Sequence, residues 1–422
     1  MAFLRSSLPI SRRQALAWGA GAASLCMAQL TYASGHQHRR PIPGTLQLAA
    51  AWEQTGGFHL GVLAVPAATA PTLQVLTALE LPTRAHGMIA PPDGSVLAVA
   101  RRPGDWLVRW QPGNAQAPQW HWIEPARAFN GHVLASPDGQ RLYTTETDLE
   151  TGASLVGVRD ARSLEKLDEW PTHGVDAHEL IWDSPQGNAP ASLIVANGGV
   201  PTSADTGRSK RDLHTMDSSL VRLQGDSGAL LGQWRLSDQR LSLRHLAWNT
   251  QRNVLGIALQ AEHDQEAERS MAPVLALFDG QALHTGALAP LNTVTATTDS
   301  HNLHGYGGSI AATRHGWAVS CPRAQGVAHF GIQGQWQGLV PLPEACALAV
   351  YNTQVWAAGR RHSLQDILAN TPLLHPHSAA LAQVRLDNHW VVHSGVSARR
   401  SHIDLCRPPG YRSSARSLPA MR

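Results

Sequence analysis

The segment HGMIAPPDGSVLAVARR (His86–Arg102) has a counterpart 46 residues later, HVLASPDGQRLYTTE (His132–Glu146). In both, an apolar run, a Pro-Asp-Gly turn and a second apolar run form the pattern of a β-hairpin. Related segments begin at four further positions: His178, His245, Tyr306 and Cys346. Successive starts are separated by 46, 46, 67, 61 and 40 residues. These lengths fit four-stranded propeller blades of ~40–50 residues, two of which carry insertions.

Residues 45–396 consist of short apolar runs separated by Gly, Pro, Asp and Asn, without sustained helical periodicity. This pattern predicts an all-β domain folded as a single β-propeller. Besides the six segments, three apolar runs near the N-terminus belong to a further blade: Leu46–Trp52, Leu60–Val65 and Leu73–Leu81. We therefore predict seven four-stranded blades. The remaining strand of that blade has no recognisable pattern, although ring closure normally joins the two chain ends in one sheet.

The two ends of the chain differ from this domain. Residues 1–33 combine the pair Arg12-Arg13 with the apolar run Ala15–Leu30 and a small residue, Ala33, at the expected cleavage site, which predicts a twin-arginine signal peptide. An uncleaved anchor is the alternative, but the run is shorter than the ~20 residues that span a bilayer. We expect a flexible segment at 34–44, a disordered basic tail at 397–422, a periplasmic location and no membrane span after cleavage.

Composition excludes two classes of protein. The formal net charge of +3 comes from arginines in the leader and the tail, so the predicted domain is mildly acidic and lacks a nucleic-acid footprint. Three cysteines follow the leader, namely Cys321, Cys346 and Cys406, which are too few for a disulfide framework. Cys321 and Cys346 could pair, bind a metal or lie buried as thiols. The predicted domain contains no HExxH, CxxC, GxSxG or P-loop motif.

The repeat predicts a candidate site at one mouth of the central channel, where inner strands begin and second strands end. We expect a ligand or a transition metal, iron or copper, to bind there to His86, His132, His178, His245 and Glu146. A supporting polar ring comprises Arg101, Arg102, Asn197, Gln260, Tyr306, Cys321 and Cys346. The alternative is that each histidine bonds neighbouring blades. Glu179 follows His178 and is predicted to face the other side of its strand, where it packs between blades.

Several short motifs resemble those of one bacterial family. They are RAHG (Arg84–Gly87), ARRPG (Ala100–Gly104), FNGH (Phe129–His132), TTE (Thr144–Glu146), VANGG (Val195–Gly199), HTM (His214–Met216), SLRHL (Ser242–Leu246) and SCPR (Ser320–Arg323). The chain resembles the domain-of-unknown-function family 1513, exported propellers placed among the YVTN-type and quinoprotein amine dehydrogenase-like folds. The resemblance implies a role in periplasmic iron acquisition beside imelysin-type iron-uptake proteins. It implies no activity, because a fold does not carry a function.

Three hypotheses about function follow. The first is a non-catalytic propeller that binds a metal or a partner protein at its axial face, as an accessory in iron acquisition. The second is a metal-dependent oxidoreductase or hydrolase, in which Glu146 is the general base and Arg101 holds an anionic substrate. The third is an interaction scaffold with structural histidines.

Overall fold

The computed structural model describes residues 46–65, 72–183, 191–201, 212–249, 253–285, 302–313, 315–359, 362–365, 373–378, 381 and 384–393. The predicted signal peptide, the segment at 34–44, the predicted disordered tail and Cys406 lie outside these ranges. The chain divides into two compact units, Met1–Arg39 and Arg40–Arg422, and all described residues belong to the second. No helix among them is long and apolar enough to cross a membrane.

The described strands form seven four-stranded antiparallel sheets, which confirms the predicted propeller. In chain order the strands are β1 (Gln47–Gln54), β2 (Gly57–Ala64), β3 (Gln74–Leu81), β4 (Ala85–Ile89), β5 (Val96–Ala100), β6 (Trp106–Trp110), β7 (Gln119–Trp122), β8 (Arg127–Ala135), β9 (Arg141–Asp148), β10 (Ser154–Asp160), β11 (Lys166–Pro171), β12 (Ala177–Trp182), β13 (Ser192–Asn197), β14 (Ser219–Gln224), β15 (Leu230–Trp234), β16 (Leu241–Asn249), β17 (Val254–Ala261), β18 (Leu275–Phe278), β19 (Leu283–Thr285), β20 (Ser309–Thr313), β21 (Gly316–Cys321), β22 (Gly326–Gly331), β23 (Trp336–Pro341), β24 (Leu348–Tyr351), β25 (Gln354–Ala358), β26 (His362–Gln365), β27 (Leu373–Pro376) and β28 (Arg385–Val392). One short α-helix, α1 (Glu266–Met271), follows β17, and 3₁₀ helices lie at Leu213–Thr215 and Pro322–Ala324.

Strand β28 is the strand that the sequence pattern did not reveal. It pairs antiparallel with β1, with Leu48 opposite Val392 and Ala50 opposite Trp390, so blade 1 has the order β28-β1-β2-β3. Blades 2 to 7 follow as consecutive groups of four strands, beginning at β4, β8, β12, β16, β20 and β24. Each inner strand contacts the next, and β28 contacts β4, so the inner strands close a ring. Pairing with β28 covers the edge of β1 that would otherwise be free to pair with another chain.

Apolar side chains between adjacent blades form the core. Ile194 and Leu220 of blade 4 share a buried cluster with Leu255 and Phe278 of blade 5. Indole groups also join blades, because the Nε1–H of Trp248 donates to the carbonyl of Trp182 at 2.8 Å. This packing between adjacent blades holds the inner strands in place around the channel and thereby positions their side chains.

Candidate functional site

A local irregularity marks the inner strands that carry the four predicted histidines. In β4 the pairing with β5 shifts between Ala85 and Met88, around His86. Corresponding shifts surround His132 in β8, His178 in β12 and His245 in β16. The pairings of β20 and β24, which carry no such histidine, are regular. A bulge re-aims side chains on its strand, so the four imidazoles are turned into the channel by the same device.

The four histidines meet in successive blades, as predicted. Neighbouring ring centroids are 4.9 Å apart for His86 and His132, and 4.7 Å apart for both His132–His178 and His178–His245. The Nε2 atoms of His178 and His245 are 3.4 Å apart. One nitrogen from each of the four rings lies within 4.8 Å of the other three. All four residues are buried, with exposed fractions of 2–6%.

Two glycines allow this close approach. A Cβ atom at Gly131, where φ is +104°, would lie 2.8 Å from Cδ2 of His86. At Gly87 it would lie 2.5 Å from the carbonyl oxygen of Gly131 and 3.1 Å from Nδ1 of His132. Real Cβ atoms do not come this close to other heavy atoms, so the His-Gly and Gly-His sequences at these positions are required by the packing of the imidazoles.

Burial keeps the imidazoles neutral. Desolvation, followed by the charges of neighbouring histidines and arginines, lowers the pKa of His86, His132 and His178 well below the ordinary value. Desolvation, with the charge of Arg244, lowers the pKa of His245 to about 3. Within the described part of the chain, both ring nitrogens of His86 and Nε2 of His132 have no hydrogen-bond partner. Neutral imidazoles with free lone pairs are the form that binds metals.

The carboxylate beside the cluster is Glu179, and the sequence did not predict this position. Its Oε2 lies 3.3 Å from Nδ1 of His245, and its Oε1 lies 3.8 Å from Nδ1 of His132. It also accepts a hydrogen bond from the backbone N–H of Leu246 at 2.7 Å. Desolvation raises the pKa of Glu179 to about 7, although a quarter of the side chain is exposed. Alternation along a regular strand predicts the opposite face, but the bulge at His178 and Glu179 breaks that alternation.

A fifth histidine, His389 on β28, also lies at the cluster. Its ring centroid is 4.7 Å from those of His86 and His245, and 5.1 Å from that of His132. Desolvation, with the charge of His245, lowers its pKa to about 4. The sequence reading missed His389 because β28 has no hairpin turn after it; its antiparallel partner β1 lies near the other end of the chain. The sequence does contain a short apolar run typical of a strand, namely Trp390, Val391 and Val392, directly after this histidine.

Glu146 does not join the histidines, which corrects the expected site. Its Oε1 lies 2.7 Å from Nη2 of Arg159 on β10, and its Oε2 lies 2.7 Å from Nζ of Lys166 on β11. A Cβ added at Gly157 of β10 would collide with this carboxylate, so the side chain extends along the sheet towards the outer strands, away from the channel. A fully buried carboxylate held by two cations serves the blade as structure, and its predicted role as a general base has no support.

The predicted polar ring divides into separate contacts. Arg102 forms an ion pair with Asp176, whose other oxygen lies 2.9 Å from Nη1 of Arg244. Arg101 is close enough for its charge to lower the pKa of His86, and Arg102 has this effect on His132. Three remaining polar side chains make structural contacts: Asn197 donates to the carbonyl of Thr172, Gln260 donates to the carbonyl of Gly307, and Tyr306 lies beneath the guanidinium of Arg323.

Cys321 and Cys346 are free thiols on neighbouring blades. Cys321 ends β21, and the preceding Ser320 donates a hydrogen bond to the carbonyl of Cys346 at 2.6 Å. Burial raises the pKa of each thiol to about 12. The two residues lie on neighbouring blades as free thiols, Cys321 buried and Cys346 partly buried, and they do not form a disulfide.

Comparison with known proteins gives a family and a fold. A family model described as "Protein of unknown function (DUF1513)" matches residues 79–393. The crystal structure of a functionally unknown protein from Desulfotomaculum acetoxidans DSM 771 is 13% identical, with a TM-score of 0.50, and the match covers 83% of this chain and 99% of that chain. A chain of a nidogen/laminin complex is 11% identical, with a TM-score of 0.44 and the same coverage. Similarity at this level concerns the fold alone. No curated protein matches.

Proposed function

The chain belongs to the DUF1513 family of proteins of unknown function. We propose that it binds one transition-metal ion through the cluster of His86, His132, His178 and His245. One observation carries the proposal. Four buried imidazoles from four blades place their nitrogens within 4.8 Å of one another. In a tetrahedral site, metal–imidazole bonds of ~2.0–2.1 Å place the ligand nitrogens about 3.4 Å apart, so each nitrogen must move by roughly 1 Å or less to bind.

The donor set favours some metals. Neutral imidazole suits divalent zinc, copper, iron and nickel, while calcium and magnesium prefer oxygen ligands. By the usual order of affinity, copper binds such a site most tightly, and iron would bind in its divalent form. Availability at the place of loading therefore decides which of these ions occupies the site.

The finer part of the proposal is an accessory role in iron acquisition in the periplasm, with iron-uptake proteins as partners. Its support is the twin-arginine pattern at Arg12-Arg13 and the resemblance of the motifs. Export of a folded protein is compatible with a site that is filled before translocation.

A metal-dependent enzyme is the second candidate, and one observation favours it. The carboxylate of Glu179 borders the four histidines and is a quarter exposed. A carboxylate beside a metal that remains open to water could accept a proton from a metal-bound ligand. This candidate replaces Glu146 by Glu179 as the general base.

Calorimetric titration tests metal binding. Fe(II) under anaerobic conditions, Cu(II) and Zn(II) are titrated into the wild-type protein and into a double variant, His132→Ala with His178→Ala. We expect one equivalent to bind the wild type and none to bind the double variant at the concentrations of the titration, since two of the four convergent imidazoles are removed. Exposed His214 supplies the control, His214→Ala, which should bind like the wild type. Equal or absent binding in the wild type and the double variant would contradict the proposal and leave the scaffold hypothesis.

A further inference from the structure

We infer that His389 is a fifth ligand of the same ion, supplied by the closing strand β28. The inference rests on the proposed metal site and extends its coordination. Cations of the borderline class, such as Cu²⁺, Ni²⁺, Zn²⁺ and Fe²⁺, accept imidazole in sets of four or five donors. The site would then draw one ligand from each of five successive blades.

The first observation is that His389 lies beside both His86 and His245. Its ring centroid lies 4.7 Å from that of His86 and 4.7 Å from that of His245. The ring centroids of His86 and His245 are themselves 6.0 Å apart. His389 therefore fills the gap between the first and the last of the four histidines, where the ring of ligands would otherwise be open.

The second observation concerns Nε2 of His389. Nε2 of His389 is enclosed, and no described residue forms a hydrogen bond with it. A buried polar atom without a partner costs free energy, and a metal ion would supply the missing interaction. His389 is nevertheless only partly buried as a residue, in contrast to the other four histidines.

The third observation is an irregularity in the backbone of β28. Opposite β1, the pairing of β28 jumps from Trp390 to Leu386 while β1 advances only from Ala50 to Trp52. β28 thus bulges at Asp387–His389, as the other four histidine strands do. Asp387 is fixed by a two-pronged ion pair with Arg84, at 2.5 and 2.8 Å. Because Arg84 precedes β4, this pair ties the bulge of β28 to the strand that carries His86.

The set of four nitrogens within 4.8 Å does not include a nitrogen of His389. To bind the same ion, a nitrogen of His389 must therefore move further than those of the four histidines in the set. This geometry assigns His389 the fifth, more exchangeable position.

The test begins with the wild-type protein loaded with Zn(II) or Cu(II). X-ray absorption at the metal edge counts the imidazole ligands, and we expect five. A count of four in the metal-bound wild type would overturn the inference and leave the proposed function intact. No binding by the wild type would overturn both, so the two failures are distinguishable.

The variant His389→Ala supplies the second measurement. We expect it to keep one bound ion with four imidazoles, and to lose affinity by about 10-fold or more in competition with a chromophoric chelator, at least the effect of losing an outer-shell partner. The control is Asn388→Ala on the same bulge, which should bind like the wild type. Unchanged affinity and unchanged ligand count in His389→Ala would overturn the inference. If this variant does not fold, the count in the wild type still decides.

Discussion

At the scale of single residues, Gly131 shows how little room the cluster leaves. Its φ of +104° is costly for other residues, and a Cβ there would lie 2.8 Å from the ring of His86. In Gly131→Ala we expect the backbone strain to destabilise the fold by ~1–2 kcal/mol. Displacement of His86 should in addition weaken metal binding. Denaturant unfolding and metal titration measure the two effects separately.

Gly56 provides a matched control, because it has the same φ of +104° and no atom within 4 Å of an added Cβ. Gly56→Ala should show the loss of stability without the loss of metal affinity. If both variants bound metal like the wild type, the close approach at Gly131 would have no bearing on the site.

At the scale of strands, one carboxylate joins three neighbouring strands of blade 3. Glu146 on β9 contacts Arg159 on β10 and Lys166 on β11. In Glu146→Gln the two cations lose a buried charged partner but keep Glu124, so we expect a cost below the ~3–5 kcal/mol of leaving a buried charge unpaired. We expect the midpoint of denaturation to fall and metal affinity to stay unchanged. Loss of metal binding at constant stability would restore Glu146 as a ligand.

The local signals and the regularity of each strand decide which residues of the site the sequence can predict. The turn Pro-Asp-Gly between paired apolar runs is a local signal, so His86 and His132 could be placed at one phase of the repeat. Glu179 could not be placed, because alternation assumes a regular strand and a bulge reverses the side on which a residue lies. His389 could not be placed because its strand pairs with β1, and sequence patterns do not report such distant pairing.

At the scale of the whole molecule, the buried cluster makes stability depend on pH. Unfolded histidines titrate near 6.5, whereas the pKa is about 3 for His245 and about 4 for His389 in the folded protein. Between these values the unfolded chain binds more protons, so stability falls as the pH falls from about 6.5 towards 4. Glu179 acts in the opposite direction, because its pKa of about 7 is raised by folding and its contribution is lost as the pH rises through that value.

Urea denaturation of the metal-free protein at pH 5 and pH 7 measures this balance. Five histidines oppose one glutamate, so we expect lower stability at pH 5. Each group contributes roughly 1.4 kcal/mol per pH unit within its window. Glu179→Gln should steepen the dependence, and the control His214→Ala should leave it unchanged. A wild-type protein equally stable at both pH values would contradict the proposed protonation states.

The pairing of β1 with β28 also has a consequence for the order in which the molecule is made. On the ribosome, the strand at residues 47–54 emerges more than 300 residues before its partner at residues 385–392. Until then, blade 1 has three strands and an open edge, and the channel has a gap beside His86. A nascent chain can form blades 2 to 7 from contiguous segments, but it acquires His389 only with β28, the last of the described strands. Synthesis of the proposed fifth metal ligand therefore coincides with closure of the ring, and chains released earlier would lack both.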